Sequence, residues 1–262
     1  MTEKPFMHIF YPERIEPAEA QARPRPLPAA ILVPDAAYDW VKEEIRGPYE
    51  RMSASNPALA IVLSPLHQHV RKESGATFAF IPEDETFGKL PLYSTATIPA
   101  WMGKDDAYFH EEPAPEEQGS VIEAFFPHAA ILPILVKPDL SSKDCQQLSS
   151  FLDRLLEAEP RTLVVSCLNG NGLSTSQTAN KDFITLCGLL EAGTPLLGAL
   201  HSRQISSLGT GILEAIGRCR RLPGNWHLTG FSLRDSHFTK LPDSLPEEEG
   251  RYVWHISGFK GN

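Results

Sequence analysis

Two histidines stand close together directly after an apolar segment, and their spacing is compatible with several kinds of chemistry. The segment Ala58–Leu63 is typical of a buried strand, and Ser-Pro-Leu-His-Gln-His follows it as Ser64–His69. Histidines at a strand end could bind a metal, act as a general base or remain solvated loop residues. Which of these holds for His67 and His69 depends on the residues that the fold brings next to them.

Polar residues also follow two other apolar segments of the chain. Asp35 comes directly after the segment 29–34, and the polar cluster Ser166–Asn171 begins where the segment 162–166 ends. In an open α/β sheet, ligands bind beyond the carboxyl ends of the strands. We therefore expect Asp35, His67 and Asn169 to lie at one edge of the sheet and to line a polar pocket there.

Short apolar segments alternate with helical patterns along the chain, which indicates a mostly parallel sheet covered by helices on both faces. The predicted fold class is a three-layer α/β/α sandwich in which 29–34, 58–63, 129–136 and 162–166 are neighbouring strands. The predicted helices are Ala36–Ala54, broken near Gly47-Pro48, then Ser141–Glu157, Thr178–Leu190 and Gly211–Cys219. Two closing strands are predicted at Trp226–Leu233 and Arg251–Phe259.

Nothing in the pattern divides the 262 residues into two cores, so a single domain over 1–262 is predicted. Residues 1–28 are expected to be an extended lead-in. The segments Thr77–Ile81 and Lys89–Tyr93 indicate a hairpin region. The acidic stretch 105–118 is interpreted as a solvated loop, with a lid over a site as the alternative.

The composition limits the classes of partner. A net charge of -9 and the absence of a long basic stretch disfavour nucleic-acid binding. No apolar run is long enough for a membrane span. Four widely separated cysteines and the lack of a signal-like start favour a reduced, cytoplasmic location.

A series of motifs, taken in order, resembles the Memo family, the Memo-like component of the AmmeMemoRadiSam set. The resemblance runs from about Ile9 to the end of the chain and includes a closing pair of aromatic-rich strands. The motifs are Phe10-Tyr11-Pro12, Pro34-Asp35-Ala36-Ala37-Tyr38, Ser64-Pro65-Leu66-His67, Glu85-Thr86-Phe87-Gly88, Ser120-Val121-Ile122-Glu123 and Ser166-Cys167-Leu168-Asn169-Gly170-Asn171.

The resemblance implies a fold similar to that of class III extradiol dioxygenases. It also implies an iron or copper site built from two motif histidines and a late cysteine. This chain departs from that pattern, because Asp35 replaces the first histidine and Ser207 aligns best with the cysteine. Leu168 and Asn171 replace an Asp and a His of the serine-rich motif. His67 is the family ligand that is retained.

Each candidate has a structural and a functional interpretation. Asp35 could complete a facial triad of two histidines and one carboxylate, with His69 or His201 as the third ligand, but a helix N-cap is favoured for it. Glu123 could be a base or a solvated charge. The remaining candidates could either line a pocket or serve packing and turns: Tyr38, Ser64, Ser166, Asn169, Asn171 and Ser207.

The sequence thus predicts a Memo-like protein with a polar pocket that has lost most of the family's metal ligands. A non-catalytic or small-molecule-binding role without a cofactor is expected. Its partner would be an unidentified small molecule or protein, and a homo-oligomer is compatible with the sequence. The alternative is a non-haem iron enzyme of the extradiol-dioxygenase type that uses His67 and Asp35, with iron or copper as its metal.

Overall fold

A computed structural model of the chain describes residues 25–36, 38, 41–67, 77–83, 86–94, 97–170, 176–202, 207–235 and 252–261. Most of the predicted lead-in, the Phe10-Tyr11-Pro12 motif, His69 and Asn171 therefore lie outside the described residues. At least one helix separates each of the four predicted neighbouring strands from the next one along the chain.

The strands are β1 (Ala29–Pro34), β2 (Leu59–Pro65), β3 (Ala79–Ile81), β4 (Thr86–Phe87), β5 (Leu90–Pro91), β6 (Met102–Lys104), β7 (Ala130–Val136), β8 (Thr162–Gly170), β9 (Ser207–Leu208), β10 (Asn225–Asp235) and β11 (Tyr252–Gly261). The helices are α1 (Lys42–Met52), α2 (Asp106–Glu111), α3 (Pro113–Phe125), α4 (Ser142–Ala158), α5 (Ser176–Glu191), α6 (Leu197–His201) and α7 (Thr210–Arg218). None of these helices combines the length and the apolarity that a membrane span needs.

One mixed sheet forms the centre of the described structure. Its strand order is β10-β11-β1-β8-β2-β7-β3-β6, and β9 pairs with the end of β8. The strands β1, β8, β2 and β7 are parallel to one another, whereas β11 and β3 flank them in antiparallel orientation. The prediction that 29–34, 58–63, 129–136 and 162–166 are neighbouring strands is confirmed.

Apolar residues cover both faces of this sheet. In β1, Ala30 and Leu32 belong to a core with α4, α5 and α7, whereas Ile31 and Val33 belong to a second core with α1 and α3. Successive side chains of a strand point to opposite faces, so a continuous apolar strand must be covered on both sides. The predicted α/β/α arrangement of three layers is confirmed.

Helix α1 differs from its prediction. It begins at Lys42 rather than Ala36, with Val41 at the N-cap position, and it continues through Pro48 to Met52. The proline deprives the carbonyl four residues earlier of a hydrogen-bond donor, which normally disfavours a helix interior. Burial of Ile45, Tyr49 and Met52 against the sheet offsets that cost. The predicted break near Gly47-Pro48 and the predicted cap at Asp35 are therefore wrong.

The region between β2 and β7 also differs from its prediction. The stretch 105–118 is not a loop, because it forms α2 and the first six residues of α3, with Asp105 capping α2 through its side chain. A proline at the first position of α3 and the burial of Val121 and Ile122 favour a helix there. The segments 77–81 and 89–93 do not pair with each other. Strand β3 instead joins the central sheet, and β4 and β5 form a separate short hairpin.

Candidate functional site

The carboxyl ends of β1, β8 and β2 lie side by side and bring together three residues that are distant in sequence. Asp35 follows β1, His67 follows β2, and Asn169 is near the end of β8, which lies between the other two strands. Strand β8 continues past its predicted end, so Ser166 and Cys167 are buried inside the sheet. The predicted meeting of Asp35, His67 and Asn169 at one sheet edge is confirmed.

A buried glutamate holds His67 in a single orientation. The His67 backbone N–H donates to Glu112 Oε1 at 2.6 Å, and His67 Nδ1 lies 2.8 Å from Glu112 Oε2. Only 1% of the Glu112 side chain is exposed, compared with 33% for His67. Because a carboxylate only accepts hydrogen bonds, Nδ1 carries the proton of this contact, and Nε2 is directed away from Glu112.

The backbone explains how Glu112 reaches this position. The residue separates α2 from α3 and has an extended conformation, with φ of -113° and ψ of 105°. A residue before proline is restricted to the extended region, so Pro113 enforces the bend between the two helices. The adjoining end of β2 is fixed as well, because the Leu66 N–H donates to the Val136 carbonyl at 2.9 Å.

The other ring nitrogen of His67 faces Asp35 and Asn169. His67 Nε2 is 3.4 Å from Asp35 Oδ2 and 3.1 Å from Asn169 Nδ2. The same amide nitrogen donates to the Asp35 backbone carbonyl at 3.2 Å. Since a carbonyl oxygen can only accept, this bond fixes the orientation of the Asn169 amide, which can then donate to an unprotonated Nε2.

Burial and charge shift the proton affinities of the two titratable groups. Burial raises the pKa of Asp35 to about 6; the positive charge of His67 opposes this shift and the negative charge of Glu112 reinforces it. Burial favours the neutral form of His67, but the Glu112 hydrogen bond and the charges of Asp35 and Glu112 outweigh it and raise the pKa of the ring. Because the charge of each group affects the other, the two groups titrate as a coupled pair.

Asp35 is the least satisfied member of the group. Among the described residues, its Oδ2 atom accepts no hydrogen bond, although it is buried and close to His67. Its backbone N–H donates to the Leu168 carbonyl at 2.9 Å, which ties the residue to β8 rather than to a helix. A buried carboxylate oxygen without a donor is costly, so a proton or a ligand at this position would stabilise it.

The other sequence candidates do not join this group as a set. Ser64 is fully buried in β2, where its hydroxyl interacts with the Cys167 thiol. Tyr38 is buried in the core and its hydroxyl interacts with Arg46. Glu123 forms an ion pair with Lys89 at 2.8 Å.

Ser207 lies near the site, but the structure shows no interaction between Ser207 and His67. It pairs with Gly170, the neighbour of Asn169, and its hydroxyl is hydrogen-bonded to that of Thr210. His201, which the sequence offered as a third ligand, is exposed at the end of α6. His69 and Asn171 are outside the described residues, so their predicted roles stay predictions.

The residue that sequence reasoning missed is Glu112. The sequence predicts a solvated acidic loop for the stretch that contains it, but Glu112 is 2% exposed and contacts His67 through both carboxylate oxygens. The Glu-Pro pair indicates an extended residue before a helix, but nothing in the sequence connects that residue to a histidine 45 positions earlier.

The described part of the chain contains no group of three or more His, Cys, Asp or Glu side chains arranged to hold a metal ion. Two donors are suitably placed, since His67 Nε2 and Asp35 Oδ2 are 3.4 Å apart. Glu112 on the opposite ring nitrogen is the kind of partner that orients metal-bound histidines. The described residues therefore fit a two-donor site, which is fewer donors than a tight metal centre uses.

Comparisons with known proteins identify no family. No family model matches the sequence, and no curated protein matches it. Among solved structures, an uncharacterized protein of Escherichia coli K12, JW3007, is similar at 12% sequence identity with a TM-score of 0.49. The similarity covers 90% of this chain and 100% of that chain.

Proposed function

We propose that this chain is a divergent Memo-like protein that binds a small polar molecule at the site formed by Asp35, His67 and Asn169, without catalysing a reaction. The observation that carries the proposal is the orientation of His67, whose Nδ1 is held by buried Glu112 while the half-buried ring directs Nε2 toward Asp35. A fixed imidazole beside an amide and an unsatisfied carboxylate offers both donors and acceptors to a ligand.

Two substitutions support a binding role over the metal chemistry that the resemblance implies. Leu168 replaces a polar motif residue and is 1% exposed within the core, so it offers no donor. Ser207 stands where a thiolate is expected, and its hydroxyl is already hydrogen-bonded to Thr210. A neutral hydroxyl is a weak ligand compared with an anionic sulfur.

The ligand should be small, polar and uncharged or weakly cationic. Glu112 and Asp35 place two carboxyl groups around one imidazole, so the site does not favour an anion. A hydroxyl group could donate to Asp35 Oδ2, or it could replace the contact between Asn169 and His67 by accepting from the amide and donating to Nε2. Such a ligand would supply the hydrogen bond that Asp35 lacks among the described residues.

Imidazole NMR tests this proposal. A collection of small polyols, amides and amines would be screened against the protein, with the ring signals of His67 as the readout and those of exposed His128 as the internal control. We expect hits that shift the His67 signals alone and that weaken about tenfold in Asn169→Ala. Hits that move His128 equally, or that bind Asn169→Ala unchanged, would contradict a site at this edge.

The alternative function, a non-haem iron enzyme of the extradiol-dioxygenase type, is favoured by one specific observation. The 3.4 Å separation of His67 Nε2 and Asp35 Oδ2 would let both atoms bind one ion, with Glu112 orienting the ring. Bound iron would supply activation of dioxygen. The test is dioxygen uptake with catechol after anaerobic addition of ferrous iron, where uptake that disappears in Asp35→Ala would favour this alternative.

A further inference from the structure

A cavity lies at the end of the sheet opposite to the site of Asp35 and His67. Its volume is about 140 Å³, and it is bounded by the end of α5, the segment leading into α6, α7 and the start of β10. Lys260 also lines it and pairs with Ala30 near the start of β1, whereas Asp35 follows the end of that strand. The two sites are therefore separated by roughly 15 Å along β1.

Buried apolar side chains form one part of the cavity wall. The residues that form it include Leu190, Leu196, Leu213 and Trp226, each at most 4% exposed. Gly193 lies at the rim of the cavity with a φ of 64°, which is in the left-handed region that favours glycine. If this residue had a Cβ atom, that atom would lie only 2.6 Å from Asn225 Oδ1. A cavity of this size is large enough for a ring similar to benzene.

Three charged residues line the cavity, and two of them neutralise each other. Glu214 Oε1 accepts from Arg218 Nε at 2.8 Å, and Glu214 Oε2 accepts from the Leu196 N–H at 2.5 Å. Arg218 also donates to the Ser142 carbonyl at 3.0 Å. The Glu214 carboxylate is thereby fully engaged with these donors.

Lys260 is the third charged residue of the cavity wall, and it does not take part in this ion pair. It is 7% exposed, and its ammonium group donates to the Gly224 carbonyl. Within the described residues no carboxylate lies within ion-pair distance of it. Burial lowers the pKa of Lys260, and nearby Cys219 only partly opposes this shift. A buried ammonium without a counter-ion is strongly disfavoured, so an anion beside it would be stabilised.

We infer that this cavity binds a small carboxylate with an apolar body, whose anionic group pairs with Lys260 and whose ring or chain packs against Leu190, Leu213 and Trp226. The inference does not depend on the function proposed for the site of Asp35 and His67. The carboxylate would supply the missing counter-ion, and the apolar walls would exclude strongly hydrated inorganic anions.

Calorimetric titration with three probes tests the inference. Benzoate has the proposed chemistry, benzamide is its neutral counterpart of similar shape, and inorganic phosphate is an anion without an apolar body. We expect benzoate to bind at least about tenfold more tightly than benzamide, because a hydrogen bond to a charged group is stronger than a neutral one. Phosphate should bind more weakly than benzoate.

Two substitutions of Lys260 test whether benzoate binds beside this residue. Lys260→Met and Lys260→Gln should each weaken benzoate binding about tenfold or more and leave the weak binding of benzamide unchanged. Lys104→Met removes the charge of an exposed lysine on β6 and is the matched control, with no expected effect on either probe.

The inference would be overturned by the absence of benzoate binding at about 10 mM, by equal affinities for benzoate and benzamide, or by undiminished benzoate binding in both Lys260 variants. Phosphate binding tighter than that of benzoate would also overturn it, since the apolar body would then contribute nothing. Because wild-type protein alone provides the comparison of probes, the test stands even if one variant folds poorly.

Discussion

Both carboxylate oxygens of Glu112 contact His67, one through the backbone N–H at 2.6 Å and one through Nδ1 at 2.8 Å. The two contacts fix both the position of the histidine backbone and the rotation of its ring. Because Glu112 is buried, water competes little for these bonds. The properties of the whole site should therefore depend on this residue, although it lies at the junction of two helices rather than at a strand end.

Replacing Glu112 with glutamine should lower the pKa of His67. The hydrogen bond and the negative charge of Glu112 both raise that pKa, and Glu112→Gln removes the charge. The glutamine amide would also present a donor to Nδ1, so the ring proton should move to Nε2. Stability should fall by about 1–2 kcal/mol, since a charge-assisted bond is lost. Ring-nitrogen NMR shifts across a pH titration measure the pKa and the tautomer.

Glu116→Gln is the matched control for this experiment. Glu116 is exposed in the first turn of α3, so the same change of charge occurs four residues from Glu112 at a side chain that faces solvent. The control should leave the His67 titration where it is in the wild type. An unchanged or higher His67 pKa in Glu112→Gln would show that the carboxylate does not set the charge of the ring.

Asp35→Asn should stabilise the protein, and the gain should increase with pH. Burial raises the pKa of Asp35 from 3.8 to about 6 in the folded state, so the folded protein binds this proton more tightly than the unfolded chain does. The stability that this group contributes is complete below about pH 4 and is lost as the pH rises through about 6. The asparagine variant avoids that loss, which amounts to at most about 3 kcal/mol.

Urea denaturation at several pH values between about 4 and 8 measures this difference. Asp139→Asn is the control, because Asp139 is exposed and its removal should change stability by less than about 0.5 kcal/mol. A stability gain in Asp35→Asn that is constant with pH, or that shrinks as the pH rises, would mean that the Asp35 carboxyl is not held in its protonated form by burial.

The central strands were predictable because their apolar runs are both continuous and short. β1, β2, β7 and β8 are buried on both faces, and the rule for parallel strand ends then predicts that Asp35, His67 and Asn169 meet. The helix after β1 was predicted too early, because a turn closed by the Val41 N–H to the Tyr38 carbonyl precedes it. Local propensity does not reveal such a turn.

The acidic stretch shows why the rest of the site was not predictable. Its charges suggested solvent exposure, yet Glu112 and Glu117 are 2% and 7% exposed. Whether a glutamate on a helix is solvated or buried depends on the path of the chain across the sheet. The contact between Glu112 and His67 spans 45 residues and follows from that path, not from any local pattern.

The chain should not bind nucleic acid at physiological ionic strength. Its net charge is -9, and binding to phosphates requires a cationic surface that releases counter-ions from the nucleic acid. Fluorescence anisotropy with labelled duplex DNA and single-stranded RNA at about 0.15 M salt should show no saturable change. A micromolar complex that weakens steeply with added salt would contradict this expectation.

The protein purified without added metal should carry far less than one equivalent of iron, copper or zinc. A tight centre needs three or more donors, and His67 Nε2 and Asp35 Oδ2 are the two that the described residues place together. Elemental analysis of wild type, His67→Ala and Asp35→Ala should give the same low content. His67→Ala should also lower stability by about 1–3 kcal/mol, because buried Glu112 loses the ring of its partner. Stoichiometric metal in the wild type that is lost in both variants would instead favour the iron enzyme.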